Sequence, residues 1–300
     1  MRPVLLTSAP APADSSGGAV QRVPGVGWAV RSGGIVTLYD HALDPVHTWS
    51  VPDGTRYAVR ADGGQLALAG ADYVVLLDHG GGKVWERIHP VWPEGGGGTV
   101  AFHAGMVWAT VPGPDSPDWW WVLDPGDGGL IGSAALECLA ASAEVVPHPD
   151  GIHLGLSVRR RPKGAHVYWG RWDRRGGRPF VSKAGDERRL LVGVHPSGAQ
   201  YLSVRYDGGG LAAQRFPDGA IRAQRPDVGE AGYVAGDLVL AAVPVDGGVR
   251  HELLDASALA AVAVVEYPPD EPPGVAFASA GDGSWLTAGA THLRRWSLTD

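Results

Sequence analysis

Three histidines sit in matching settings, each in a short turn-like motif that interrupts an apolar run. They are His103 in HAG (103–105), His148 in HPDG (148–151) and His195 in HPSG (195–198). Histidine is the commonest protein ligand for metals and titrates near neutral pH, so a convergent set could hold a metal ion or move protons. The competing account is structural, because His-Pro can simply begin a turn with the ring capping backbone groups. No ladder of Asp or Glu accompanies the three, so the structural account is favoured; neither a metal nor a cofactor is expected. Other chemistry is absent: there is no HExxH, CxxC, Walker loop or GxSxG elbow. GVGWAV (25–30) lacks the last glycine of a dinucleotide fingerprint. DPGDGG (124–129) lacks the ligand spacing and closing Glu of an EF-hand.

Charge offers a second kind of chemistry. From Arg159 to Arg189 the chain carries 11 Lys/Arg and 3 Asp/Glu, a balance of +8, whereas the remainder carries 14 against 29, a balance of −15. A basic island on an acidic body is a candidate contact for a partner. Arg160, Arg161, Lys163, Lys183, Arg188 and Arg189 are expected to converge on one rim, with Arg174, Arg175 and Arg178 at the opposite end. Guanidinium groups offer planar donor pairs suited to carboxylates and phosphates. The plain alternative is a solvated cluster that keeps a glycine-rich surface soluble. Trp92, beside PEGGGG (93–98), is a candidate exposed aromatic, while Trp119, Trp120 and Trp121 on one strand read as core.

The elements that must position these residues repeat along the chain. An apolar run ending at or near Asp, a Gly- or Pro-containing turn and a second apolar run recur, as in IVTLYD-HALDP-VHTWSV from Ile35 and YVVLLD-HGGG-KVWERI from Tyr73. The marker aspartates are Asp40, Asp78, Asp124, Asp173, Asp218, Asp255 and Asp300, separated by 38, 46, 49, 45, 37 and 45 residues. That spacing fits a four-stranded propeller blade. A carboxylate there can accept backbone N–H groups of the following turn. ADGG (61–64), AGDG (280–283) and the three histidine motifs mark a second turn, between strands a and b of each repeat. The expected architecture is all-β: a seven-bladed β-propeller of four-stranded antiparallel blades, with six or eight blades as the neighbouring counts. The last repeat lacks a fourth strand, and PVLLTS (3–8) is expected to supply it, with 9–18 as linker. The whole chain, 1–300, is expected to be a single domain, with the histidines near one mouth of the central channel.

In spacing the chain resembles a divergent WD-repeat propeller over nearly all its length. Trp172-Asp173 is a literal WD pair, Trp296 holds the corresponding strand of the last blade, and HPDG and HPSG look like the family's a–b turn. The usual Gly-His dipeptide is absent, so the family's Asp-His-Ser/Thr-Trp network is not carried over. LLDHGGGKVW (76–85) is similar to the repeat of pyrroloquinoline-quinone-type propellers, with the Trp one residue early.

Composition bounds the function. Cys138 is the single cysteine, so no intrachain disulfide forms, and Val4–Leu6 is far shorter than a signal-peptide core. No apolar stretch is long enough to cross a membrane, and a cytoplasmic location is expected. High Ala, Gly and Arg usage points to a bacterial source. The leading expectation is a non-enzymatic interaction or scaffold module that docks a protein partner bearing an acidic segment. The alternative is an enzyme or small-ligand binder of lyase or hydrolase type, using His103, His148 and His195. The net charge of −7 argues against nucleic acid as partner.

Overall fold

Apolar runs of four to nine residues, punctuated by Gly, Pro and Asp, become strands in every repeat. The computed structural model describes residues 1–12, 20–92, 97–113, 117–160, 164–185, 188–246, 248–271 and 276–298, without the side chains of 141, 160 and 276. Among these there is no helix, and none is long and apolar enough to cross a membrane.

An N-terminal strand, β1 (Pro3–Pro10), is followed by blade one, β2 (Val20–Val23), β3 (Gly27–Ser32), β4 (Ile35–Asp40) and β5 (Pro45–Ser50). Blade two is β6 (Arg56–Val59), β7 (Gln65–Ala69), β8 (Tyr73–Asp78) and β9 (Lys83–Ile88). Blade three is β10 (Val100–His103), β11 (Met106–Val111), β12 (Trp119–Leu123) and β13 (Leu130–Ala135). Blade four is β14 (Ala140–Pro147), β15 (His153–Arg160), β16 (Ala165–Asp173) and β17 (Arg178–Ala184). Blade five is β18 (Arg189–Val194), β19 (Gln200–Arg205), β20 (Leu211–Arg215) and β21 (Ile221–Arg225). Blade six is β22 (Glu230–Tyr233), β23 (Leu238–Val245), β24 (Gly248–Asp255) and β25 (Ala261–Val264). The last three strands are β26 (Ala276–Ser279), β27 (Ser284–Ala288) and β28 (His292–Leu298).

Six sheets pair their strands in chain order, and the seventh has the order β1-β28-β27-β26. The N-terminal strand therefore completes the last blade, antiparallel to β28 from Pro3↔Leu298 to Pro10↔His292. It runs two residues beyond the expected 3–8; most of the expected linker (13–18) and Asp300 lie outside the described residues.

The marker aspartates do the work their position implies. Asp78 Oδ1 accepts the Gly82 N–H at 2.8 Å, Asp124 Oδ1 the Gly126 N–H at 2.7 Å, and Asp173 Oδ1 the Arg175 N–H at 3.1 Å. Asp40 and Asp255 bind their turns in the same way. A residue with positive φ ends the turn in each of the first six blades, including Gly81 (78°) and Gly128 (70°). Leu43 and Leu259 accept this conformation as non-glycine residues and bury their side chains. Asp218 lies three residues past the end of β20, within the turn itself.

The chain forms two compact units. One comprises Met1–Val51, Val192–Phe216 and Ala220–Asp300, and the other Pro52–Leu191 and Pro217–Gly219. In the first, Trp28, Val30, Leu286 and Leu293 form one core cluster, and Leu240, Leu253, Trp285 and Trp296 another. The indole N–H of Trp296 donates to Thr287 Oγ1 at 2.9 Å. In the second, Leu76, Trp85, Val107 and Leu123 pack together, as do Trp92, Trp108, Trp120, Leu154 and Tyr168. Burying each such side chain stabilises the fold by about 1.5–3 kcal/mol. Along β12 the tryptophans alternate: Trp120 is fully buried, while half-buried Trp119 and Trp121 pack on the neighbouring cluster. Gly170 in β16 makes room for Trp120, because a Cβ there would lie 2.4 Å from Cζ3 of that ring.

Candidate functional site

Blade four carries both features singled out in the sequence, and strand direction assigns each to an end. The β14–β15 and β16–β17 turns lie at one end; the β15–β16 loop and the β17–β18 connection lie at the other. The first end holds His148, with Arg174, Arg175 and Arg178 exposed at the second turn. The second end gathers the other cations. Arg159 near the end of β15, Lys183 near the end of β17 and Arg188 in the connection are all exposed. No carboxylate among the described residues pairs with Arg159 or Arg188. Arg159 also borders a shallow cleft with Ser142, Glu144, Ser157 and Leu190.

The basic rim differs in part from its expectation. Arg160 ends β15 without a described side chain, and Arg161 and Lys163 lie outside the described residues. Arg189 is not a rim residue: it begins β18 and is 5% exposed, ahead of buried Leu190 and Leu191. Trp92 is not an exposed aromatic either. It is 3% exposed, its backbone N–H donates to Ala71 O at 3.0 Å, and its ring joins the cluster around Trp108 and Trp120.

The histidines also separate. His195 belongs to the other compact unit, where its Nδ1 lies 2.8 Å from Ser197 Oγ and its Nε2 meets Gly236 O. His103 and His148 share the second unit and a neighbourhood. His103, buried at the end of β10, places Nε2 2.9 Å from Ile152 O, on the turn that His148 begins. Burial pushes the His103 imidazole below its ordinary value, and the nearby His153 and His148 add to this against Asp150.

That turn, HPDGIH (148–153), contains the carboxylate and the further histidine that the sequence reading missed. Asp150 Oδ1 accepts the N–H groups of Ile152 at 2.8 Å and His153 at 2.9 Å. The same oxygen lies 3.0 Å from His148 Nδ1, and Asp150 Oδ2 lies 2.7 Å from His153 Nδ1. Burial raises the Asp150 carboxyl, but the bonds from His153, Ile152 and His148 outweigh it and hold the group well below the usual carboxylate range. The His148 ring is fixed from behind by an edge contact with Trp169, 5.7 Å between centroids. One ligand atom from each of His148, Asp150 and His153 lies within 4.8 Å of the others. The signal was present in the sequence as H-x-D-x-x-H, but HPDG was read only as a turn.

Seven four-stranded antiparallel sheets, the last completed by the first strand, make this fold a seven-bladed β-propeller. Solved propellers align with it over nearly the whole chain. The Cps50 (Swd1) β-propeller domain of Myceliophteria thermophila matches with a TM-score of 0.67 and 14% identity, over 99% of this chain and 100% of that one. BBS1N, solved in complex with ARL6DN, matches at 0.60 and 13% identity, over 99% and 97%. BamB from Moraxella catarrhalis matches at 0.58 and 12%, over 99% and 100%. No family model and no curated protein matches the chain. Identities this low carry the fold and nothing finer.

Proposed function

We propose that this chain is a non-enzymatic protein-interaction module that docks an acidic segment of a protein partner through blade four. The observation that carries the reading is the set of exposed cations at one end of that blade: Arg159, Lys183 and Arg188. Strands β15 and β17, each antiparallel to β16 between them, end at this rim and hold Arg159 and Lys183 on one sheet, with Arg188 in the connection that follows. A partner therefore meets them with much of the ordering cost already met. Arg159 at the cleft edge offers a carboxylate two parallel donors. The acidic body surrounding the island disfavours a polyanionic duplex and favours a short acidic segment that touches the island alone. One solved propeller of the same fold was captured in a complex with a second protein, ARL6DN.

The test is binding of a synthetic Glu/Asp-rich peptide to wild type and to Arg159→Glu/Lys183→Glu/Arg188→Glu. All three side chains are exposed, so the variant is expected to fold. Wild-type affinity should fall as salt rises, and the variant should lose binding at least tenfold. Equal affinity for both proteins would refute the reading.

A further inference from the structure

We propose that His148, Asp150 and His153 form a site for a divalent transition-metal ion of the zinc class, at the end of blade four opposite the basic rim. The three side chains come from one six-residue turn, so the site needs no distant elements to converge. Their chemistry is that of a two-histidine, one-carboxylate donor set. Borderline nitrogen donors with a single oxygen suit Zn2+, Co2+, Ni2+ or Cu2+ and are poor for Mg2+ or Ca2+, which prefer oxygen.

The geometry is close to what such an ion requires. Two donors on one tetrahedral zinc stand about 3.3 Å apart, given metal–ligand lengths of about 2.0–2.1 Å. Asp150 Oδ1 already stands 3.0 Å from His148 Nδ1, and Asp150 Oδ2 stands 2.7 Å from His153 Nδ1. The three donor atoms lie within 4.8 Å of one another, so the widest separation closes on an ion with a movement of up to about 1.5 Å.

At these separations a carboxylate oxygen and an imidazole nitrogen share either a hydrogen atom or a metal ion. The outer support resembles that of built metal sites. Two backbone N–H groups hold Asp150 Oδ1 and leave Oδ2 turned toward His153. His103 fixes the Ile152 carbonyl, and Trp169 fixes the buried His148 ring. Exposed Asp150 and half-exposed His153 leave an entry path, and an open fourth position for water or a partner's donor.

The experiment titrates Zn2+ into the chelator-treated, tag-free full chain in competition with a chromophoric chelator. The comparison protein is Asp150→Asn/His153→Gln, which spares the buried His148, and His195→Gln is the control histidine variant. Wild type and control should bind one equivalent, and the double variant, which loses two of the three donors, should bind at least about 100-fold more weakly, since loss of an outer partner alone costs about 10–100-fold. Co2+ in place of Zn2+ should give the visible absorption of a four-coordinate ion in wild type and the control but not in the double variant. Binding of equal strength in the double variant, or only weak binding of several ions by every protein, would overturn the site.

Discussion

Replacing Gly170 with alanine puts a Cβ 2.4 Å from Cζ3, 2.9 Å from Cη2 and 3.1 Å from Cε3 of Trp120. That ring has little room to retreat, because it is fully buried and held edge-on against Trp108 at 5.0 Å. Overpacking of this kind costs about 1–3 kcal/mol. Removing a mid-strand glycine returns roughly 0.5–1 kcal/mol through the unfolded chain. The net loss expected for Gly170→Ala is about 1–2 kcal/mol. The cause is tested by the pair of changes rather than by one. In a Trp120→Leu background the obstructing ring is gone, and the same Gly170→Ala change should be neutral or slightly stabilising. The two substitutions should therefore couple by about 1–3 kcal/mol. Urea unfolding followed by far-ultraviolet circular dichroism measures all four proteins, provided the slope with denaturant stays constant. Additive effects, or a Gly170→Ala variant as stable as wild type, would refute the packing argument.

The turns and one buried histidine give further expectations. Gly81→Ala should cost about 1 kcal/mol from its positive φ alone, since its Cβ meets nothing within 4 Å. Gly128→Ala should cost clearly more, because its Cβ would also lie 2.7 Å from the Trp85 ring; equal losses in thermal or urea unfolding would contradict this. Burial pushes the His251 imidazole down to about 4, with Nδ1 2.7 Å from the Tyr267 hydroxyl. The unfolded chain, titrating near 6.5, then binds the proton that the folded chain refuses. Stability from this group is whole above pH 6.5 and is lost as pH falls toward 4, at up to about 1.4 kcal/mol per pH unit. His251→Gln should remove that share, and an unchanged pH slope of the urea midpoint would count against the assignment.

The repeat was legible because most blades share the same two punctuation marks. In blades one to four and in blade six an Asp at the end of the third strand captures N–H groups of the turn beyond it, and Gly-containing turns join the first two strands. Side-chain destinations were legible only where periodicity decides them, as along Trp119–Trp121. Trp92 misled because a glycine-rich neighbourhood suggests a solvated loop, whereas its indole fills a gap in the core beside Trp108 and Trp120. Arg189 misled because charge counts along a chain ignore which residue opens the next strand. The histidines were grouped by equivalent position in the repeat. The structure groups His148 instead with Asp150 and His153, by proximity within one turn. Sequence repeats carry the first relation and cannot display the second.

Blade four, in the function we propose, docks a protein partner through its basic end. Capture from a native-host lysate tests it most directly, using wild type beside Arg159→Glu/Lys183→Glu/Arg188→Glu, each with and without nuclease. The account predicts a protein retained by wild type, insensitive to nuclease and lost by the variant. Retention of the same protein by both, or loss on nuclease treatment alone, would contradict it.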